Sequence, residues 1–335
     1  MELNTISLPV FTQLANVIFE KRKASLEAVM RNSGLFKVET IANNSGNIRQ
    51  LTEIDLEEYA SFKGESDQAS RARVQQGYSK NLQSYRIAKD IGISYEMRTQ
   101  NKYPEVIARL QNLADLAMNR MDLDLAHRVT FGTATSYTDV DGRTIDVSLG
   151  DTLALFSTAH TLRGSSTTFR NRLANNPQLS KGALEGMEKL IVEQTYNQFG
   201  EKVVRKYDIL WTTDDPNTIN TAMEYLKSTG APDVANSGVE NVYKGKYQLK
   251  ILPRVATTAA GAPDTTKAKY WGLAAGDNST AHVKVWEEPH LKSPAAGNNG
   301  EEFATDDWNY GVRAGYGIAT LEGSWIKFSS GDGTA

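Results

Sequence analysis

The sequence predicts an α+β protein organised around one unusually long helix, and three observations carry that expectation. From Pro104 to Gly132, Val106, Leu110, Leu113, Ala117, Met121, Leu125 and Val129 recur at steps of three or four. Between about residues 180 and 290, helical and strand-like stretches alternate, as in a compact α/β lobe. Near the end, Trp308, Tyr310, Val312, Ala314, Tyr316 and Ile318 fall on every second position, which places an apolar and aromatic row on one face of a strand. At 335 residues the chain exceeds the size at which a single core keeps growing, so two lobes, or one domain with long excursions, are expected.

Taken in order, residues 1–61 read as an N-terminal arm: a helical stretch from about Val10 to Met30, then "ANNSGNIRQ" and the acidic "EIDLEEY". Residues 62–98 read as a long two-stranded extension. Its tip is "KGESDQASRARVQQGYSKN", and its return strand alternates Tyr85, Ile87, Lys89, Ile91, Ile93, Tyr95 and Met97. An isolated ribbon of this kind is marginal in water, so it has to lie on something, such as another subunit.

The helix that follows has Pro104 and Glu105 in its first turn, and its roughly 29 residues make a rod about 43 Å long at about 1.5 Å per residue. Loops and short strands fill 133–180. Ser180 then caps a helix carrying Leu184, Met187, Leu190, Ile191 and Phe199, which Gly200 ends. "YDILWTT", "YQLKILPRV", "KYWGLAA" and "HVKVWEE" read as strands, with a helix starting at Asp215-Pro216. Glu322-Gly323 offers a turn, so Trp325 to Phe328 should run back against the Trp308 strand as a hairpin.

Composition excludes several classes. A net charge of -3 with 40% hydrophobic and 23% charged residues argues against disorder and against a strongly basic nucleic-acid binder. No apolar run approaches the roughly 20 residues of a membrane span, and no basic n-region precedes an apolar stretch at the N-terminus, so a cytoplasmic protein is expected. With no cysteine there is no disulfide, no thiolate catalysis and no sulfur-ligated metal.

The candidate chemistry is thin. Asp151, Ser157 and His160 are close enough in sequence to suggest a hydrolase triad, but no Gly-x-Ser-x-Gly elbow surrounds Ser157, and a histidine such as His160 is far more often a hydrogen-bonded loop residue. His282 and His290 flank Glu287 and Glu288, yet strand geometry puts His282 and Glu288 about 20 Å apart at about 3.3 Å per residue. "GVRAGYG" lacks a strand–turn–helix context; its glycines let a strand bend or another backbone approach. No cofactor or metal is expected. Charge is more informative: Lys63, Arg71, Arg73 and Lys80 cluster on the extension, whereas Glu287, Glu288, Glu301 and Glu302 gather elsewhere. That is either a solvated mixed surface or complementary contact between subunits.

The order of parts (arm, two-stranded extension, spine helix, α/β lobe, return to strands) resembles the HK97-like fold of tailed-bacteriophage major capsid proteins. "LFSTAHTLRGSSTTFRNRLANN", the following "LSKGALEGMEKLI" and "FATDDWNYGVRAGYG" are similar to the major head subunits of Mu-like phages, and the likeness runs from about residue 35 onward. The resemblance implies an E-loop at 62–98 lying across a neighbour through Lys63, Arg71, Arg73 and Lys80. It further implies a spine helix and peripheral domain at 99–150, an axial domain at about 151–300, and return strands of the peripheral domain at 301–335. It implies a shell of pentamers and hexamers in a virion capsid assembled in the host cytoplasm, with weak nonspecific double-stranded DNA inside, a portal, a separate scaffolding protein and no membrane. The alternatives are an encapsulin-like nanocompartment shell and a cytoplasmic hydrolase using His160.

Overall fold

The computed structural model describes residues 7–41, 50–100, 102–230, 240–294 and 306–333. The first part of the chain forms α1 (Leu8–Ser25), β1 (Lys37–Thr40), β2 (Gln50–Leu56), β3 (Val74–Asn81), β4 (Gln83–Ile93), α2 (Tyr95–Thr99) and α3 (Tyr103–Thr130). Short pairs follow, β5 (Ser136–Thr138) with β6 (Thr144–Asp146) and β7 (His160–Thr161) with β8 (Thr168–Phe169). The remainder is α4 (Lys181–Glu193), β9 (Ile209–Thr212), α5 (Pro216–Lys227), β10 (Gln248–Ile251), β11 (Trp271–Ala274), β12 (Ala281–Lys292), β13 (Trp308–Thr320) and β14 (Ile326–Ser329).

Two four-stranded sheets result, ordered β1-β12-β13-β4 and β10-β9-β11-β14. The spine helix α3 is the expected long rod of 28 residues. Its N-terminal half buries Val106, Leu110, Leu113 and Ala117 against Trp308, Tyr310 and Val312 of β13. Its C-terminal half joins a second core, in which Leu125 and Val129 meet Tyr316 and Ile318 of the first sheet and Trp211 and Phe328 of the second. The far side of the second sheet buries Trp271 and Leu273 against Leu184 and Met187 of α4 and Ala222 of α5. Each fully buried side chain of this kind contributes about 1.5–3 kcal/mol, so α3 ties the two sheets together. The Ser180 and Asp215 caps form as expected, accepting from Ala183 N and Thr218 N.

Four sequence expectations are corrected. The closing hairpin does not exist: β13 is antiparallel to β12 on one side and β4 on the other, so neither edge is free for β14. The chain crosses instead to the second sheet through a corner where Glu322 O accepts from Thr280 Oγ1 at 2.9 Å and Trp325 Nε1 at 3.0 Å. Second, the alternating run from Tyr85 to Ile93 is no ribbon strand but β4, paired along its length with β13, and Tyr95 and Met97 lie in α2; the ribbon is β2 with β3, so it starts upstream of residue 62. Third, the N-terminal region is not merely an arm. Phe11, Ala15 and Phe19, spaced by four, bury α1 against α3 and β13, and Arg22 grips Asp115 through two bonds of 2.7 and 2.9 Å. Fourth, α4 stops at Glu193, and Phe199 lies beyond it in a turn. The glycines of β13 do admit close approach: a Cβ on Gly315 would strike the Trp286 indole, and one on Gly317 would strike Leu82.

Candidate assembly surface

The ribbon carries the charges that the sequence singled out, and its construction starts with "QLTEIDL". In β2, Leu51, Glu53 and Asp55 face inward and are partly buried, while Thr52, Ile54 and Leu56 face outward and are exposed. Both inward carboxylates meet Gln198 in the turn after α4. Glu53 Oε2 accepts from Gln198 Nε2 at 2.7 Å, and Asp55 Oδ2 accepts from Gln198 N at 2.9 Å. Gln198 Oε1 accepts from Arg163 N at 2.8 Å, and Arg163 Nη1 donates to Gly77 O of β3 at 2.9 Å. Tyr78 shares a 2.7 Å hydroxyl contact with Thr161, and Glu58 N donates to Glu201 Oε2 at 2.8 Å. The seat is itself a rigid turn: Asn197 Oδ1 accepts from Phe199 N and Glu201 N, and Gly200 sits at φ +81°, where a side chain would be strained. Gly77 is required as well, since a Cβ there would run into the Glu53 carboxylate.

The seat is electrostatically tense. Burial, and then the Glu322 charge, push the Glu53 carboxyl up to about 7; the Gln198 bond pulls it back, and Asp55 pushes it further up. Besides Arg163, Arg205 places a cation here, donating to Glu322 Oε1 at 2.7 Å and to Ser324. Lys327 is fully buried nearby, where burial and then the Arg205 charge lower it to about 7, and it donates to the carbonyls of Arg170 and Gln194.

The opposite face of the ribbon is apolar toward the tip, beyond the exposed Thr52 and Gln76. Ile54, Leu56 and Val74 stand exposed, as do Tyr59 and Phe62 in the tip, so among the described residues five of the thirteen exposed large apolar side chains lie between 54 and 74. Acids turned toward its own subunit and apolar groups turned toward water are the reverse of a strand whose partners are all present.

The charges expected to pair between subunits are placed unevenly. Lys63 and Arg71 are exposed and form no ion pair among the described residues. Arg73 instead bonds Glu57 within the ribbon at 3.1 Å and lies over the Phe199 ring, and Lys80 reaches Asp146 and Ser148, each at 2.7 Å. Burial opposes ionisation of Asp146, but the Lys80 and Ser148 bonds outweigh it and hold its pKa below the ordinary value. Glu287 is paired with Arg86 at 3.3 Å, and Glu288 is gripped by Arg31 at 2.7 and 3.1 Å, whose hydrogen bonds lower its pKa. Glu301 and Glu302 lie outside the described residues. The seat residues Gln198 and Arg163 and the strand β2 escaped the sequence reading, although the strict alternation of "LTEIDL" was there to be seen.

The hydrolase constellation does not assemble. His160 Nδ1 meets Asp151 Oδ2 at 2.7 Å and its Nε2 faces the Leu155 carbonyl at 3.3 Å, while Ser157 Oγ accepts from Ala159 N. Both ring nitrogens are thus engaged away from the hydroxyl, and the pair ties a buried loop together. His282 lies beside Lys284 and Lys37, and burial followed by these charges lowers its pKa; among the described residues no group of three or more His, Asp or Glu could hold a metal. No helix among them is long and apolar enough to cross a membrane.

No family model and no curated protein matches the chain. Solved structures do. A structure from Gordonia phage Cozz is similar at 13% identity and TM-score 0.52, over 90% of this chain and 85% of that one. The capsid of cyanophage P-SCSP1u matches at 11% identity and TM-score 0.50, over 88% and 85%. A virus-like particle from Pyrococcus furiosus matches at 9% identity and TM-score 0.50, over 95% and 98%. At such identities the likeness is one of fold, and the fold of this chain is the α+β, HK97-like one.

Proposed function

We propose that this chain is the major capsid subunit of a tailed phage or prophage and builds an icosahedral shell around double-stranded DNA. The observation that carries the assembly part is the ribbon, whose apolar outer residues are covered by no partner among the described residues; the fold shared with a cyanophage capsid supports the class of particle. Each copy makes heterologous contacts that close first into pentamers and hexamers and then into a shell, so that many modest interfaces sum to a stable whole. The E-loop role belongs to the ribbon of β2 and β3 with its 57–73 tip. Contact with DNA on the inner wall is weak and unspecific, because a net charge of -3 neutralises few phosphates. A scaffolding protein and a portal complete the set of partners, assembly takes place in the host cytoplasm, and the stretch from Leu155 to Asn176 supports a likeness to the Mu-like branch.

Electron microscopy and sedimentation of the concentrated protein test this. Closed particles are expected, and replacement of residues 57–73 by a short Gly/Ser linker should leave a folded subunit, by circular dichroism, that forms none. Full-size particles from that variant would remove the ribbon from the assembly, and a parent chain that stays monomeric at every concentration would remove the shell. The Pyrococcus furiosus particle shares this fold, so the content of native particles decides between a phage head and a compartment: double-stranded DNA supports the former, a protein cargo the latter.

A further inference from the structure

Two of the exposed apolar patches among the described residues complement each other. One is the ribbon tip, where Phe62 is fully exposed at the end of a polar loop. The other is the mouth of a cavity of about 300 Å³ between α3, β4 and the β5–β6 turn. Ile87, Ala117, Ile145 and Val312 form its walls, Leu116 lines it while half exposed, and Val140 stands exposed between the lining residues Asp139 and Asp141.

The polar groups deeper in are already paired: Arg120 bonds Asp124 and Asp139, and Arg128 donates to the Asp146 carbonyl. Lys89 and Arg143, in contrast, are exposed at the opening and form no ion pair among the described residues. The tip around Phe62 brings the exposed acids Glu58 and Glu65, with Lys63 to meet Asp141. An apolar cavity of about 150 Å³ already accepts a benzene ring, so this one has room for a phenyl group entering from outside. The chain's own ribbon is seated on the 160–164 and 197–202 loops with Phe62 in water, so the ring has to come from another copy.

We propose that Phe62 of one subunit inserts as a knob into the cavity beside Leu116 and Val140 of a neighbouring subunit, with Glu58 and Glu65 meeting Lys89 and Arg143 at the rim. The knob rests on the shell assignment above and names the contact through which the ribbon bridges two copies. A rigid aromatic anchor in a pocket surrounded by exposed charges is the arrangement in which a few residues dominate an interface.

The chain has no cysteine, which makes a direct test clean. Differently tagged Ser61→Cys and Val140→Cys subunits are co-assembled and treated with a short bismaleimide, leaving Phe62 and Leu116 in place. A covalent dimer of the two tags is expected. Adding Phe62→Asp to the Ser61→Cys chain should cut its yield by about tenfold or more, whereas Phe62→Leu should retain most of it, both variants staying folded by circular dichroism. Particles without the mixed dimer, or an undiminished yield with Phe62→Asp, overturn the knob while leaving the shell intact. If the parent never leaves the monomeric state, the shell assignment fails and the knob falls with it.

Discussion

Strands β13 and β2 alternate with equal strictness and in opposite senses. In β13 the inward row is Trp308, Tyr310, Val312, Ala314, Tyr316 and Ile318, all buried. In β2 the inward row ends in Glu53 and Asp55, and the apolar Ile54 and Leu56 face water. The first strand has found all its partners inside the subunit; the second is held there by hydrogen bonds to one glutamine and a few neighbours. Apolar burial fixes the body, and polar contacts park the ribbon. Parking of that kind is reversible, because exchanging protein hydrogen bonds for water nets only about 0.5–1.5 kcal/mol each.

The largest effect that breaks this contrast belongs to the body. Leu113 has no exposure on α3, between α1 and β13, so Leu113→Asp buries an unpaired carboxylate and should destabilise the subunit by about 3–5 kcal/mol. Denaturant unfolding should show it, with most of the protein insoluble on expression. Normal particles from Leu113→Asp would show that this face of α3 is no core.

A pH effect, next in size, sharpens the contrast from the ribbon's side. Glu53 is raised from its ordinary 4.5 to about 7 in the seated ribbon, so the seated form holds the proton more tightly than the free one. The seat is therefore strongest below about pH 4.5 and weakens as pH rises to about 7, by up to about 3 kcal/mol, with no further change above that. Hydrogen exchange of ribbon amides, normalised for intrinsic rates, should show protection falling across that window while the β13 amides stay protected. Glu53→Gln should flatten the dependence and leave the ribbon better protected than the parent at pH 8. A ribbon whose protection is indifferent to pH in the parent would mean that Glu53 does not control the seat.

What the sequence revealed follows the same division. The spine helix and the inward row of β13 were legible because local periodicity and tertiary burial agree there. Phe11, Ala15 and Phe19 were equally regular, yet Val10 and Val17 put apolar residues on the exposed side of α1 as well, so no single buried face stood out. The β13–β14 hairpin was misjudged because closeness in sequence does not say whether a strand's edges are already taken, and those of β13 are, by β12 and β4. At the assembly surface, Lys63, Arg71, Arg73 and Lys80 were visible as a charge cluster, but which of them are free was not. The pairs that consume charges are long-range, such as Arg31 with Glu288 across 257 residues. Strand β2 was lost because its acids occupy the positions where a lone subunit should show apolar groups.

The smallest effect separates two adjacent charges that the sequence treats alike. Arg73 is tied to Glu57 and Phe199, within the ribbon and its seat, whereas Arg71 points to solvent. Arg73→Glu should loosen the parked ribbon by no more than about 1 kcal/mol, since the pair is exposed, and raise amide exchange in the tip of the isolated subunit. Arg71→Glu should leave the isolated subunit unchanged. If Arg71 meets an acid on a neighbour, however, this substitution weakens assembly, and the defect shrinks as salt screens the contact, with a Debye length of about 10 Å at 0.1 M. An exposed pair worth about 0–1 kcal/mol is hard to detect once, but a shell repeats it in every subunit. Light scattering across a salt series reads the difference. Equal assembly of Arg71→Glu and the parent at low salt would remove Arg71 from the contact between subunits.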